Sequence, residues 1–188
     1  MKRLQFVLFV LGLTGIISLG GVGIEVAQAK SKKNFVLEVA CNGSTLAVNQ
    51  VDPTAALVFP LPRGDVAVVT GKIYPEGTLP SGVTTSDPSA PGGIGAWRCL
   101  FASLAESPII GAITYYFALE EDGEESMLMV QGLNSHQWPG SVPRVHAVVG
   151  GTGKYAGASG EVREEVLGVN GSGCFNLRFQ FSLKKKHR

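Results

Sequence analysis

The sequence predicts an all-β protein arranged as an antiparallel barrel, and three observations support this prediction. Apolar and polar residues alternate along several short segments, most regularly in 174–183. Turn residues separate those segments, and glycine accounts for 25 of the 188 residues. No segment after the N-terminal region has convincing helical character. Roughly seven or eight strands joined by short turns are typical of a closed antiparallel barrel.

The N-terminal region has the parts of a signal peptide. A basic start precedes an apolar run over 4–24, and residues 27–29, Ala-Gln-Ala, have the small-residue pattern of a cleavage site. We therefore expect residues 1–29 to be removed near Ala29 and residues 30–188 to form one barrel domain with a short basic tail. The protein would then be secreted or periplasmic, with no membrane span in its mature form. An uncleaved anchor helix is the alternative, because the apolar run is long enough to cross a bilayer.

The charge of the chain is nearly balanced, with 16 Lys and Arg against 15 Asp and Glu. This balance argues against nucleic acid as a partner. The tail, 184–188, is basic and is either a solvated end or a contact for an acidic surface. The three histidines are scattered and no Cys-x-x-Cys pair exists, so the spacing predicts neither a metal site nor a cofactor.

Strand character recurs along the chain at intervals set by glycine and proline. The segments with this character are 34–40, 64–74, 94–102, 109–119, 126–133, 144–149, 161–167 and 174–183. The first is expected to break at 41–44, and 49–62 is an irregular connection because it holds three prolines. Residues 81–93 lack any pattern and are interpreted as a mobile loop near one mouth of the barrel.

The stretch 147–160 carries five glycines after a short apolar run. Residues 151–156 fit the loose dinucleotide pattern G-x-G-x-x-A, but the glycines that follow are unsuited to the helix that this pattern requires. Glycines at such spacing are instead typical of a place where strands bend or cross closely. We interpret the stretch as a hairpin corner in an all-β protein.

The same stretch carries a family resemblance. Residues 149–162, Val-Gly-Gly-Thr-Gly-Lys-Tyr-Ala-Gly-Ala-Ser-Gly-Glu-Val, resemble the signature of the allene oxide cyclase and dirigent protein superfamily. The similarity extends from about Asn34 to Leu183 and is strongest from Gly95 onward. It implies an eight-stranded, antiparallel, calycin-like barrel in an exported bacterial member. It also implies a homo-oligomer, since both plant families assemble as trimers.

The resemblance to allene oxide cyclases assigns roles to particular residues. Glu38 matches the family's catalytic glutamate and Cys99 its pocket cysteine, while Tyr74, Trp97 and Tyr115 are the aromatic residues expected along a ligand pocket. The family's two asparagines are replaced by Ala40 and Gly71. The aspartates of the dirigent site are likewise absent from 74–78. The residues of the barrel scaffold therefore match the superfamily more fully than the residues of either family's active site do.

The three cysteines, Cys41, Cys99 and Cys174, allow one internal disulfide in an exported chain. The first and last strands of a closed barrel are neighbours, so Cys41 and Cys174 could meet, although the sequence leaves the pairing open.

The function that the sequence favours is binding of a small apolar ligand, fatty-acid- or phenol-derived, inside an exported barrel. The chain would steer isomerisation or cyclisation of that ligand if it is an isomerase of the allene oxide cyclase type. The alternative is a dirigent-like protein, or a structural or interaction module of the cell envelope, without catalysis.

Overall fold

The computed structural model describes residues 32–56, 61–84, 87–106, 109–121, 124–135 and 143–184. The expected signal peptide, 1–29, and the end of the basic tail lie outside these residues. The strands are β1 Lys32–Asn49, β2 Val66–Pro75, β3 Gly82–Val83, β4 Gly95–Glu106, β5 Ile109–Glu121, β6 Glu124–Ser135, β7 Arg144–Gly151, β8 Gly160–Val169 and β9 Phe175–Lys184. A single 3-10 turn, η1, covers Gly153–Tyr155. Among the described residues, no helix is long and apolar enough to span a bilayer.

Eight of the strands form a closed antiparallel barrel. Their order is β1-β2-β4-β5-β6-β7-β8-β9, and β9 pairs with both β8 and β1, which closes the sheet. The short strand β3 lies outside this ring and pairs in parallel with the end of β8. The prediction of an all-β, eight-stranded antiparallel barrel is therefore confirmed.

The two ends of the barrel are called the Tyr155 end and the Arg144 end, after a residue that lies at each. The Tyr155 end carries the turn that contains η1 and the start of β1. The Arg144 end carries the start of β7, the connection between β1 and β2, and the turn between β8 and β9. Tyr155 is buried at its end, while the connection between β1 and β2 buries Leu61 at the other.

Aromatic rings fill the centre of the barrel and the half toward the Tyr155 end. Phe117 and Phe179 have ring centroids 5.0 Å apart and meet edge to face. Phe181 lies 5.2 Å from Phe117 and stacks on Phe35 at 4.8 Å. Such edge-to-face and offset contacts add to the free energy that burial of the rings contributes. The alternation of β9, recognised in the sequence, supplies two of these rings from one strand face.

Strand β1 is longer than expected and is covalently tied to β9. The predicted break at 41–44 is an irregularity between Asn42 and Ala47 in the pairing with β2, after which the strand continues to Asn49. Cys41 forms a disulfide with Cys174, which precedes β9. The suggested pairing is therefore confirmed, and it leaves Cys99 as a buried free thiol.

The glycine-rich stretch forms the corner between β7 and β8. Gly153 and Gly157 adopt φ angles of 55° and 73°, a left-handed conformation that side-chain-bearing residues rarely adopt. The corner contains only the three residues of η1 as helix. The interpretation as a hairpin corner is confirmed, because the helix of a dinucleotide site is absent from these described residues.

The connection between β2 and β4, residues 76–94, is called the strap here. The sequence predicts a patternless loop for its residues 81–93, of which residues 85–86 are not described. Its strand β3 pairs with Gly168 and Val169 of β8. The strap therefore leaves β2, reaches β8 on the other side of β1 and β9, and returns to β4.

Candidate functional site

Three of the residues selected from the sequence lie together inside the barrel. Trp97 and Cys99 on β4 and Tyr115 on β5 are all buried in the core. Cys99 and Tyr115 are paired across the two strands, and the rings of Trp97 and Tyr115 are 5.5 Å apart. The structure thus brings these three residues together in the barrel interior.

A buried carboxylate that the sequence analysis did not select completes this group. Glu164 on β8 is only 3% exposed. Its Oε2 accepts a hydrogen bond from Tyr115 Oη at 2.8 Å and lies 2.8 Å from Nε2 of His146. Its Oε1 lies 3.4 Å from Nη1 of Arg144. These four side chains are called the Glu164 cluster below.

The strand register explains why the cluster forms. Arg144 is paired directly with Glu164, and His146 follows two residues later on the same face of β7. The opposite face of β7 points outward, where Val145 and Val149 are 57% and 43% exposed. The inner face of this strand therefore carries Arg144 and His146 beside the core residue Val148, so polar and apolar side chains share it.

The protonation of the cluster follows from its hydrogen bonds. Burial and then the Glu164 charge raise the pKa of the Tyr115 phenol well above its ordinary value, so Tyr115 is the donor to Glu164. Because a carboxylate oxygen accepts hydrogen bonds, Nε2 of His146 is assigned as the second donor to Oε2 of Glu164. Nδ1 of His146 is buried and has no hydrogen-bond partner among the described residues. The carboxylate thus has three protein partners, whereas Nδ1 of His146 has none among the described residues.

Gly132 on β6 makes room for the imidazole. A Cβ at this position would collide with Nδ1 of His146. Because only glycine lets the ring approach the strand this closely, any larger residue at 132 would displace His146 from Glu164.

Two further polar groups border the cluster. Nε1 of Trp97 is buried without a hydrogen-bond partner among the described residues. Burial and then the Glu164 charge raise the pKa of the Cys99 thiol, so Cys99 is a neutral, weakly reactive thiol. The site can therefore offer a carboxylate, a phenol, an imidazole and an indole N–H to a bound molecule. No group of three His, Cys, Asp or Glu side chains suited to a metal ion occurs in the described ranges.

Glu38, the expected catalytic residue, lies elsewhere. Its strand neighbours Leu37 and Val39 belong to the core, so alternation turns Glu38 to the outer face of the barrel. It is nevertheless 0% exposed, because the strap covers it. The structure therefore places Glu38 apart from Trp97, Cys99 and Tyr115, on the outer side of the sheet.

Glu38 holds the strap against the barrel. Its Oε2 accepts the backbone N–H of Leu79 at 2.7 Å, and its Oε1 pairs with Nη2 of Arg178 at 3.0 Å. Burial raises the pKa of Glu38, but the N–H groups of Leu79 and Gly77 and the Arg178 charge outweigh it, and the pKa lies below its ordinary value. Nearby, Asn176 donates to the carbonyl of Pro80 at 3.3 Å.

Tyr74, expected to line the pocket, also contacts the strap. It is paired with Glu38 on the same outer face and is 2% exposed. Its Oη donates to the carbonyl of Ala90 at 2.8 Å. Burial raises the pKa of the Tyr74 phenol, so it remains a donor at neutral pH. Its observed contacts are structural ones with the returning half of the strap.

The sequence contains a pattern of charged residues that indicates an inward-facing carboxylate at Glu164. Residues 163–165 are Arg-Glu-Glu, three consecutive charges within a predicted strand. Since successive side chains alternate between faces, such a strand must direct at least one charge into the barrel. Glu164 is that residue. His146 had no comparable signal, because the valines around it indicate the opposite orientation of β7.

Comparison with known proteins identifies the fold. No family model and no curated protein matches the sequence. Among solved structures, two pterocarpan synthase dirigent proteins each align with a TM-score of 0.60, at 16% and 15% identity. The first alignment covers 84% of this chain and 97% of the other, and the second covers 85% and 88%. A pyocyanin demethylase aligns with a TM-score of 0.51 at 17% identity, covering 81% and 98%.

These structural alignments establish a common fold, and at such low sequence identities they say nothing about the reaction. The aligned proteins include one named as a demethylase, so barrels of this shape occur in proteins with different functions. From its closed eight-stranded antiparallel sheet and these structural matches, the chain has the dirigent-like barrel fold.

Proposed function

We propose that the chain binds a small, largely apolar ligand, fatty-acid- or phenol-derived, in the barrel interior beside the Glu164 cluster. One observation carries the proposal: the Glu164 carboxylate, the His146 imidazole and the Tyr115 phenol are buried together within a core that is otherwise largely apolar. Burying charge costs several kcal/mol before pairing offsets it, about as much as a small domain's net stability. An apolar core would close the barrel without this cost, which favours a functional role for the cluster.

The cluster also supports a role in steering a reaction. A fixed carboxylate in a water-poor site stabilises positive charge that develops on a bound molecule. Glu164 suits this role better than Glu38, because its surroundings are the interior aromatic residues Trp97 and Tyr115. In the proposed function, Glu164 and the Trp97 N–H orient the ligand's polar groups while the aromatic walls hold its apolar part during isomerisation or cyclisation.

Native mass spectrometry tests the proposal. The protein is purified from its own exported fraction, and any bound molecule is released and identified. The proposal predicts one lipid-like or phenolic molecule per barrel, greatly reduced in Glu164→Gln and retained in the matched variant Glu38→Gln. A folded wild-type protein that carries nothing and binds neither a fluorescent fatty acid nor a methoxyphenol would contradict it.

A second proposal concerns self-association. Much of the exposed apolar surface lies on the outer face of β4–β7, where Leu104 and Leu133 are 47% and 65% exposed in addition to Val145 and Val149. The neighbouring outward positions Ala102 and Ala112 are also apolar and lie in register with Leu133. An apolar face of this extent favours a homo-oligomer, such as the trimer expected from the family resemblance. Sedimentation of wild type and Leu133→Glu tests this, and a wild-type monomer at all concentrations would exclude it.

The proposed location is the periplasm or the extracellular space. The disulfide between Cys41 and Cys174 supports this, because such bonds persist mainly in oxidising compartments. Fractionation of the native host, with the N-terminal mass of the recovered chain, tests both export and cleavage after Ala29. Recovery of the full-length chain from the cytoplasm would contradict this part of the proposal.

A further inference from the structure

One nitrogen of the Glu164 cluster has a free lone pair. Nε2 of His146 lies 2.8 Å from Oε2 of Glu164 and donates to it, so the hydrogen of the neutral imidazole is on Nε2. Nδ1, the other ring nitrogen, is then an acceptor, and it is buried without a hydrogen-bond partner among the described residues. A buried acceptor that stays unpaired costs free energy, which favours a function for it.

The other members of the cluster orient His146 and balance the charge of Glu164. Nη1 of Arg144 lies 3.4 Å from Oε1 of Glu164, so a guanidinium already offsets the carboxylate. Tyr115 donates to Glu164 as well, and its raised pKa keeps the phenol neutral. With a neutral imidazole the cluster carries no net charge, and a proton gained by His146 would be stabilised by the adjacent carboxylate. A carboxylate that fixes the tautomer of an imidazole and then stabilises the imidazolium is the arrangement that activates a histidine base.

The surroundings of Nδ1 are apolar. Gly132 contributes no side chain, and a Cβ there would collide with Nδ1. The next inward-facing residues along the two strands, Val130 and Val148, are paired with each other and belong to the hydrophobic core. A molecule bound beside Nδ1 of His146 would therefore meet a base that water does not solvate.

A second unpartnered nitrogen lies near the same phenol. The ring centroids of Trp97 and His146 lie 5.5 and 5.6 Å from that of Tyr115. Nε1 of Trp97 is a donor, and it is buried without a partner in the described part of the chain. The interior thus offers a bound molecule one proton acceptor and one hydrogen-bond donor. Such a donor stabilises an oxygen on which negative charge develops.

We propose that His146 is the general base of the interior site and that its Nδ1 takes a proton from a carbon next to a carbonyl group of the ligand. This inference rests on the proposed function and names the reaction that the site would perform. The ligand C–H bond breaks, the proton bonds to Nδ1, and the electron pair forms an enolate whose oxygen accepts the hydrogen bond from Trp97. The imidazolium then returns the proton to a different atom of the ligand. The product is an isomer of the substrate, so the reaction needs no oxidant, reductant or second substrate.

A Kemp elimination tests the base. The probe is 5-nitrobenzisoxazole, a small aromatic molecule whose C–H bond is broken by a general base while its N–O bond opens to give a coloured phenolate. The proposal predicts phenolate release by wild type and release at least about 100-fold slower by His146→Gln, which is the smaller contribution expected of a general base. Glutamine keeps a donor for Glu164 but has no basic nitrogen. The control Glu161→Gln, at an exposed position of β8, should match wild type.

Nitrogen-15 NMR of the wild-type histidine rings provides a test that depends on no variant. It should show the His146 hydrogen on Nε2 and a bare Nδ1. A hydrogen on Nδ1 would overturn the proposal, and so would a folded His146→Gln protein that cleaves the probe as fast as wild type does. Thermal melting checks that each variant is folded.

Calorimetric titration of wild type with the same probe separates failure of the base from failure of the ligand site. Binding without cleavage would overturn the role of His146 and leave the interior ligand site in place. A probe that does not bind would overturn the base and also count against the proposed function. Binding with cleavage that depends on His146 is the result that the proposal predicts.

Discussion

Two glutamates are buried in the described part of this barrel, and their surroundings differ. The difference separates a structural role for Glu38 from the proposed functional role of Glu164. Glu38 lies on the outer face beneath the strap, where a backbone N–H and the guanidinium of Arg178 satisfy its carboxylate. Glu164 lies inside, where Tyr115 and His146 share one of its oxygens. Glu38 thus fastens two parts of the backbone together, while Glu164 holds titratable side chains in an aromatic interior.

The comparison teaches that burial of a carboxylate does not by itself identify a site. Both carboxylates are buried, yet the partners of Glu38 leave it no free role. Around Glu164, the neighbouring atoms Nδ1 of His146 and Nε1 of Trp97 remain without protein hydrogen bonds in the described part of the chain. Unsatisfied neighbours, rather than burial, distinguish the interior cluster.

The largest expected effect is on folding, from Glu38→Ala. This change leaves Arg178 and the Leu79 N–H without their buried acceptor, so the free energy of unfolding should fall by about 3 kcal/mol. Urea denaturation measures the loss. The exposed Glu161, on the outer face of β8, gives the matched control Glu161→Ala, which should change stability by less than about 0.5 kcal/mol. Equal effects of the two variants would remove Glu38 from its proposed structural role.

The next effect separates the two glutamates in ligand binding. Glu164→Gln keeps the shape of the side chain but weakens the bonds from Tyr115, His146 and Arg144, and stability should fall by about 2 kcal/mol. Binding of the ligand identified by mass spectrometry should weaken at least about tenfold, which is the loss of one good polar contact. Isothermal titration calorimetry measures it. Unchanged affinity in a folded Glu164→Gln protein would contradict the functional role of the cluster.

A smaller effect is expected from Tyr115→Phe, which removes one hydrogen bond to Glu164 and about 1.5 kcal/mol of stability. Because the folded state raises the pKa of Tyr115, its contribution to stability is present below about pH 10 and is lost as the pH rises through the folded-state pKa. Wild type should therefore lose stability more steeply above pH 10 than Tyr115→Phe does. Parallel alkaline melting curves for the two proteins would argue against a buried, protonated Tyr115.

The smallest expected effect is the loss of stability at acidic pH that depends on Glu38. The folded state lowers its pKa below the ordinary value of 4.5, so its contribution is present above pH 4.5 and is lost as the pH falls through the lower, folded-state value. The melting temperature of wild type should fall more steeply in this range than that of Glu38→Gln. The protection factor of the Leu79 amide against hydrogen exchange should fall over the same pH interval in wild type. Acid stability that is identical in the two proteins would contradict the assignment.

The sequence predicted the fold well because β-structure leaves a local pattern. The alternation in β9 and the glycine corner after β7 each indicated the correct element, and both are properties of short segments. Strand β1 was underestimated because a bulge near Asn42 interrupts its pattern without ending its pairing. The strap lacked any pattern because its contacts, such as Leu79 with Glu38, join residues far apart in the chain.

The site was predicted only in part, for a physical reason. Family resemblance selects Trp97, Cys99 and Tyr115, and all three lie in the barrel interior. In strand β7, Val145 and Val149 face outward while His146 and Val148 face inward, so its apolar residues do not mark the inner face. A sequence pattern that assumes an apolar interior will orient such a strand wrongly. Functional sites are where local rules of this kind are expected to fail.

The most direct test of the account compares ligand affinity and stability in Glu38→Gln and Glu164→Gln, measured side by side by calorimetric titration and urea denaturation. The account predicts that both variants lose stability but remain folded, that Glu38→Gln binds as wild type does, and that Glu164→Gln binds at least about tenfold more weakly. The reverse pattern, with binding lost in folded Glu38→Gln and kept in Glu164→Gln, would contradict the interior site and restore the role that family resemblance gave to Glu38.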